Sequence, residues 1–161
     1  MSIDQPNSEI NCGGYALGLN KWYEPYSIEM IQDEIYTGLL QGIPYKIMMD
    51  YIFRLTFDKI HLDMYAKYGC ECDFHYLYAQ VRDKNYTGVA YRIGLHNYDL
   101  SEVDDPTDID WDFHFRRYTA EDGWTEKIGT YAPSKVEDIY DWSNINDFHY
   151  NSQTKLFIIK N

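Results

Sequence analysis

Two side chains of this sequence have the types that thiol chemistry requires. Cys12 lies in the run NCGGYAL (11–17), and His114 lies in the run WDFHFRR (111–117). At the opening of a helix, unsatisfied backbone N–H groups favour the thiolate, which is the reactive form of a cysteine. A histidine on a later strand is the usual base or ion-pair partner of such a thiol. If the two side chains meet, the sequence predicts a thiol hydrolase or a descendant of one.

A cysteine nucleophile also needs a third group that orients its base, and the hairpin after His114 offers one. If the polar turn that follows Tyr118 pairs that residue with Trp124, Glu126 lies diagonally from His114 on the same face of the hairpin. A carboxylate there accepts the imidazole N–H and fixes the tautomer of the ring. A register shift of one residue would turn Glu126 to the other face. The predicted constellation of Cys12, His114 and Glu126 therefore depends on the turn.

Helical patterns fill the first part of the chain and would position the cysteine. Residues 1–10 are polar and predict a loose N-terminal arm, while Asn11 can cap a short helix that carries Cys12. A second helix is predicted over 27–42, opened by a capping serine and closed by a glycine. A long amphipathic helix is predicted over 44–68, where apolar residues recur near helical spacing.

Strand patterns fill the rest of the chain, where aromatic and β-branched residues alternate. The acidic stretch 101–110 contains a proline and predicts a loop. The predicted strands are 70–81, 88–98, 111–118, 124–131 and 156–159. Helices first and an antiparallel sheet afterwards predict a single α+β domain over residues 1–161, with the N-terminal helices packed on the sheet.

Length, composition and net charge limit the classes of partner that the protein can bind. The chain has 161 residues, enough to bury a core without disulfides, and 17 % of them are aromatic. The formal net charge of −12 argues against nonspecific binding to nucleic acid or to an anionic membrane. It favours a peptide or protein substrate or partner, and a basic one suits the charge. The oligomeric state is left open by the sequence.

Cysteine usage and the N-terminal residues predict the compartment. The three cysteines, at positions 12, 70 and 72, cannot form a disulfide framework without one left over. The first residues lack the basic and apolar regions of a signal peptide, and no apolar run approaches the length of a membrane span. We therefore expect a reducing compartment, the cytoplasm.

Two groups of side chains contain residue types that bind metals, but neither has the spacing of a zinc or calcium site. Cys70 and Cys72 lie on one face of a predicted strand near His75, but no second ligand pair with zinc spacing follows. The carboxylates of 101–110 lack the ordered spacing and the central glycine of a calcium loop. The expectation is that the protein has no metal site and no cofactor.

Two short motifs resemble known families. The run NCGGYAL (11–17) resembles the nucleophile helix of small papain-like cysteine peptidases, the NlpC/P60 and CHAP group. DFHFRR (112–117) followed by GWTEKIG (123–129) is similar to a motif in bacterial relatives of the mollusc insoluble matrix shell protein family. In that motif an Asp-aromatic-His-aromatic-Tyr-Arg strand precedes a polar turn and then Trp-Ser-His-Lys-Pro-Gly. The resemblance implies a papain-like fold in which Cys12 is the nucleophile and His114 the base.

The chain departs from that pattern in the hairpin. Glu126 stands where the pattern has a histidine, and Ile128 stands where it has a proline. A glutamate can orient the base as a histidine would. We expect the backbone N–H of Cys12, helped by Asn11, to stabilise the oxyanion. Tyr15 and Trp124 are the further residues that we expect to contact substrate.

The expected activity is hydrolysis or transfer at an amide bond in a peptide, an isopeptide or a peptidoglycan stem. An acidic binding protein without catalysis, such as a phage-type inhibitor of a host protein, is the alternative from another class. Cys12 would then be a small buried apolar residue. The adjacent glycines, Gly13 and Gly14, weaken a helix, so they favour a close approach of substrate or backbone to Cys12.

Overall fold

Four α-helices and one six-stranded antiparallel sheet make up the regular structure of residues 9–145 and 147–161, which a computed structural model describes. The helices are α1 (Cys12–Ala16), α2 (Ile28–Leu40), α3 (Tyr45–Asp63) and α4 (Phe74–Gln80). The strands are β1 (Tyr68–Glu71), β2 (Tyr86–Leu95), β3 (Trp111–Thr119), β4 (Gly123–Glu126), β5 (Ser134–Lys135) and β6 (Lys155–Lys160). The predicted α+β class is confirmed.

The first helices begin where the sequence predicts. The Asn11 side chain caps α1 by accepting a hydrogen bond from the Gly14 N–H, and the Ser27 hydroxyl caps α2 by accepting one from Met30. Pro44 precedes α3, because its ring fixes a backbone angle suited to a helix start and it has no N–H to leave unpaired. These local signals are contained in the sequence, so the predicted N-caps Asn11 and Ser27 are confirmed. The predicted helix 44–68 is too long, because α3 ends at Asp63 and Tyr68 pairs with β6 as the first residue of β1.

The sheet has strand order β1-β6-β2-β3-β4-β5, and both of its faces are covered. Helices α1 to α3 pack on one face around Tyr91, Phe115 and Phe157. Helix α4 and the segment 136–150 cover the other face around Trp142. The central strands β2 and β3 are therefore buried on both sides, and β3 carries candidate-site residues between the two layers.

The predicted strand 70–81 is wrong beyond its first residues. Strand β1 ends at Glu71, and α4 follows, with the Asp73 carboxylate accepting a hydrogen bond of 2.8 Å from the Tyr76 N–H. Leu77 is fully buried, and Val81 just beyond the helix is nearly so. Capping by Asp73 and burial of one helical face outweigh the strand preference of the aromatic residues.

The hairpin of β3 and β4 has the register that the site requires, with Tyr118 paired to Trp124. The predicted strand 124–131 is too long, because β4 ends at Glu126. Gly129 adopts a positive φ of 55°, and the Tyr131 N–H closes a turn on the carbonyl oxygen of residue 128. β4 therefore leaves β3 just after the residues that form the hairpin.

Two further sequence expectations concern irregular segments. Residues 1–8 of the predicted N-terminal arm lie outside the described residues, while Ile10 is buried. The acidic stretch is a loop with two short 3₁₀ turns, Leu100–Glu102 and Pro106–Asp108. The carboxylates of Asp99, Asp105 and Asp108 accept hydrogen bonds from the loop's own backbone.

Candidate active site

Asn11 fixes the start of the helix that carries Cys12. Its Oδ1 accepts hydrogen bonds from the N–H of Gly14 (3.0 Å) and of Tyr23 (2.9 Å), and its Nδ2 donates to the Tyr23 carbonyl oxygen (2.7 Å). The side chain is buried, so all three bonds are made away from bulk water. Asn11 thereby ties α1 to the segment at Tyr23.

The glycines beside Cys12 admit backbone rather than substrate. A Cβ at Gly14 would lie 2.0 Å from the Lys21 carbonyl oxygen, and one at Gly13 would lie 3.0 Å from that of Tyr23. Only glycine permits this approach at position 14. Of the two explanations that the sequence left open, the structure favours close backbone packing.

Cys12 and His114 line the same cavity, which has a volume of about 150 Å³. It lies beside the first part of β3, which does not pair with β4. The pairing of the two strands ends at Arg117 and Thr125. The exposed side chains of Trp22, Glu24 and Ile28 form part of its wall, so the cavity is open towards solvent. The other lining residues are Asn11, Asp112, Phe113, Lys127, Ile128, Gly129, Ile145 and Tyr150.

His114 is held through one of its two ring nitrogens. Its Nε2 lies 2.8 Å from Oε1 of Glu126, and both side chains are buried. Among the described residues, none makes a hydrogen bond to Nδ1 of His114. The ring packs against Tyr150, with centroids 5.2 Å apart, and meets the edge of Trp142 at 5.9 Å. The bond to Glu126 thus fixes the orientation of the ring through Nε2.

His114 and Arg116 together favour the charged form of Glu126. Burial opposes ionisation of this carboxyl group, but hydrogen bonds and charges from His114 and Arg116 outweigh burial and lower its pKa below the ordinary value. The Arg116 Nε donates to Glu126 Oε1 at 3.1 Å. Its other nitrogens donate to the carbonyl oxygens of residues 138, 139 and 141, and its guanidinium lies 4.2 Å from the centroid of the Trp142 ring. Arg116 therefore joins Glu126 to the segment that covers His114.

Cys12 is a neutral thiol in this arrangement. Burial, and secondarily the nearby Asp112 carboxylate, raise its pKa to about 12. The backbone N–H groups of Phe115, Gly13 and Cys12 itself lower the pKa but do not compensate for burial. Within the described residues, no hydrogen bond links the Cys12 sulfur to His114. Cys12 packs with Phe115 on the face covered by α1, whereas His114 packs against Trp142 of the other face, so the two side chains share only the cavity and form no resting ion pair.

Two charged residues of the cavity were missed by sequence reasoning. Asp112 accepts hydrogen bonds from the Tyr150 hydroxyl (2.6 Å) and from the Phe113 N–H (2.9 Å), and burial raises its pKa. Lys127 is fully buried and donates to the Gly129 carbonyl oxygen. Both stand in the motifs that flank His114, but charged residues at a strand end are ordinarily exposed.

Two of the expected substrate-contacting residues lie away from this cavity. The Tyr15 hydroxyl is 2.6 Å from Thr125 Oγ1, and the Trp124 Nε1 donates to the Tyr78 hydroxyl at 2.9 Å. Neither side chain lines the cavity of Cys12. Their contacts hold α1 and α4 against β4, which is a structural role.

The other two cysteines lie at the opposite edge of the sheet, in and just after β1. Cys70 and Cys72 are half-buried free thiols, and burial together with Cys70 raises the pKa of Cys72 to about 12. In residues 9–145 and 147–161, the structure contains no group of three or more histidine, cysteine or acidic side chains placed to hold a metal ion. Over the same residues no helix has the length and apolar character needed to span a bilayer.

Comparison with known proteins finds no matching family model, no matching curated protein and no matching solved structure.

Proposed function

We propose that the protein is a papain-like thiol hydrolase or transferase that acts on an amide bond of a peptide, an isopeptide or a peptidoglycan stem. The observation that carries the proposal is the 2.8 Å contact between His114 Nε2 and Glu126, which leaves Nδ1 available in a chain whose Cys12 lines the same cavity. In this role Cys12 is the nucleophile, His114 the acid and base, and Glu126 the orienting group.

The state of Cys12 decides how the first step proceeds. Because the thiol pKa is about 12, the proton leaves as the sulfur attacks, and His114 Nδ1 accepts it. The sulfur forms a bond to the carbonyl carbon, and the electron pair of the C=O bond moves to oxygen. His114 then returns the proton to the leaving nitrogen as the C–N bond breaks, the electron pair on oxygen re-forms the C=O bond, and a thioester remains.

The thioester is then resolved by a second nucleophile. Water attacks in a hydrolase, whereas an amine or alcohol attacks in a transferase, and His114 accepts the proton in either case. The C–S bond then breaks, the C=O bond re-forms, and His114 returns the proton to the Cys12 sulfur. The backbone N–H of Cys12, at the start of α1, is the proposed donor to the oxyanion. The Asn11 amide is already committed to Tyr23, so we assign it the support of α1 rather than direct contact with substrate.

Two positions at which the chain departs from the shell-protein motif contact each other. The pattern has tyrosine where this chain has Arg116 and histidine where it has Glu126, and these two side chains contact each other at 3.1 Å. Arg116 thus supplies the positive charge that a glutamate at position 126 requires. We infer that the orienting role has been kept with different chemistry.

A generic acyl donor tests the nucleophile and the base without knowledge of the substrate. We expect p-nitrophenyl acetate to acetylate Cys12 with release of p-nitrophenolate, and the His114→Ala variant to react about a hundredfold more slowly. The measurement is the p-nitrophenolate absorbance, with the acetylated residue located by peptide mass spectrometry.

Matched controls separate this reaction from nonspecific acetylation. Cys70→Ser and His149→Ala replace a half-buried thiol and an exposed histidine outside the cavity, so both should react at the wild-type rate. Cys12→Ala should show no burst of p-nitrophenolate. A His114→Ala protein that acetylates Cys12 as quickly as wild type would contradict the proposal.

The second candidate is an acidic binding protein without catalysis. The neutral, buried thiol of Cys12 and the net charge of −12 favour it. A stoichiometric protein partner retained by a variant lacking both Cys12 and His114, with no acetylation of wild type, would support this candidate over the first. For either function the proposed compartment is the cytoplasm, on the grounds of cysteine usage.

A further inference from the structure

Lys127 is the one fully buried lysine among the described residues, and the proposed reaction does not use it. The side chain has 0 % of its surface exposed and lines the cavity that contains Cys12. Its Nζ donates to the Gly129 carbonyl oxygen, whose position is set by the turn that ends β4. An ammonium has three donors, and a single backbone carbonyl satisfies only one of them.

No carboxylate of the described residues forms an ion pair with Lys127. The two acidic side chains of the cavity are otherwise engaged. Asp112 is bonded to Tyr150 and to the backbone of Phe113, while Glu24 accepts a hydrogen bond from the indole of Trp22. A buried lysine without an opposite charge is costly, so such a residue is ordinarily retained for a purpose.

The position of Lys127 relative to the nucleophile suggests that purpose. Burial lowers the pKa of the ammonium, and the Cys12 sulfur, when charged, opposes that shift, which places the two groups within electrostatic reach. An ammonium that is itself shielded from solvent, as that of Lys127 is, attracts an anion more strongly than one in water does. A substrate carboxylate brought to Cys12 would supply the missing negative charge.

We propose that Lys127 makes the cavity selective for substrates that carry a carboxylate beside the amide bond attacked by Cys12. This inference rests on the proposed function and adds the charge of the substrate to it. It is compatible with a basic partner, because the net charge of −12 acts over the whole surface whereas Lys127 acts only inside the cavity. The expected substrate has a carboxylate at the reacting end and is neutral or basic elsewhere.

Two isosteric alkylating reagents test the charge of the cavity directly. In each reaction the Cys12 sulfur bonds to the methylene carbon, iodide leaves, and the thiol proton passes to solvent. Iodoacetate carries a carboxylate and iodoacetamide does not, so the ratio of their rates at Cys12 cancels the fraction of thiolate present. The rates are measured near neutral pH by mass spectrometry of the peptide that contains Cys12.

We expect Lys127→Met to lower the iodoacetate-to-iodoacetamide ratio by about tenfold, whereas Lys127→Arg should keep it within about twofold of wild type. Lys67→Met, which removes the same charge from an exposed position, should leave the ratio unchanged. Chemical unfolding of each variant verifies that it is folded before alkylation.

Three results would overturn the proposal. They are an unchanged ratio in Lys127→Met, a lowered ratio in Lys127→Arg, and a folded wild-type protein in which neither reagent reaches Cys12. The outcome is independent of acyl transfer, because alkylation needs neither His114 nor an oxyanion site. A protein that acetylates Cys12 but shows no charge preference would retain the proposed function and lose this inference.

Discussion

At the scale of single residues, the buried contact of His114, Glu126 and Arg116 is the feature on which the site depends. Glu126 is 8 % exposed and accepts hydrogen bonds from both partners through the same oxygen. Removing one member of a buried charged group leaves the others unpaired, which costs more than the group contributes as a whole. The triad is therefore sensitive to single changes even if it adds little net stability.

Glu126→Gln should lower the free energy of unfolding by about 2 kcal/mol at neutral pH, because Arg116 loses its carboxylate. The folded pKa of Glu126 lies below its ordinary value of 4.5, so its stabilisation is present above that pH and is lost as pH falls through the folded pKa. The stability difference between wild type and variant should therefore shrink in acid. Urea unfolding at a series of pH values measures it.

The matched control is Glu71→Gln. Glu71 also pairs with a cation, Lys155 at 2.9 Å, but the Glu71 side chain is 54 % exposed. Exposed pairs contribute little, so this variant should remain within about 0.5 kcal/mol of wild type. A Glu126→Gln protein equal in stability to Glu71→Gln at every pH would show that the buried triad is not a charged one.

The sequence predicts part of this site for a clear physical reason. Glu126 could be placed near His114 because strand alternation and a tight turn are local properties, and the observed register agrees. Lys127 and Asp112 could not be recognised as cavity residues. Their burial results from the departure of β4 from β3 and from the packing of Tyr150, which lies far along the chain.

At the scale of elements, the docking of α1 determines where Cys12 lies. This helix has only five residues and cannot be stable alone, so its position depends on Asn11 and on contact with the backbone at Lys21. Gly14 is the point of closest approach. The packing that positions Cys12 therefore leaves no space for a side chain at position 14.

Gly14→Ala should lower the free energy of unfolding by about 3 kcal/mol, because the new methyl group would overlap the Lys21 carbonyl oxygen. Gly18→Ala is the control, since Gly18 has a positive φ of 68° but no atom near its added Cβ. It should cost only about 1 kcal/mol, from backbone strain alone. Thermal and urea unfolding compare the two, and equal losses would contradict the packing described.

Element prediction succeeded at the starts of α2 and α3, where capping signals and periodicity agreed, but it carried α3 five residues too far. It was wrong over 70–81, where an aromatic-rich sequence suits either a strand or a helix in isolation. Tertiary packing decides between the two, because a helix at this position places Leu77 against β2 and β6. That choice is tertiary and has no local signal strong enough to predict it.

At the scale of the whole molecule, the net charge of −12 opposes the compact state. Several carboxylates of the acidic loop satisfy its backbone, but the exposed side chains of Glu102, Asp104 and Asp110 accept no hydrogen bond from the described residues. These three charges add repulsion without holding the loop together. Neutralising these three side chains should therefore reduce the repulsion without loss of hydrogen bonds within the loop.

We expect added NaCl, up to about 0.5 M, to raise the free energy of unfolding by roughly 1 kcal/mol, because salt screens the repulsion. A triple variant, Glu102→Gln, Asp104→Asn and Asp110→Asn, changes the net charge from −12 to −9. It should be more stable than wild type at low salt and respond less to NaCl. Stability that falls with salt, or an unchanged response in the variant, would contradict this expectation.

The position of β6 between β1 and β2 has a consequence for synthesis of the chain. Tyr68 pairs with Ile159, and Thr87 pairs with the same residue from the other side, so both earlier strands need residues that the ribosome adds later. Pairing over such separations is slow and leaves α2 and α3 without their full apolar surface. A nascent chain that ends before residue 155 therefore exposes the unpaired edges of β1 and β2, and should depend on chaperones until β6 emerges.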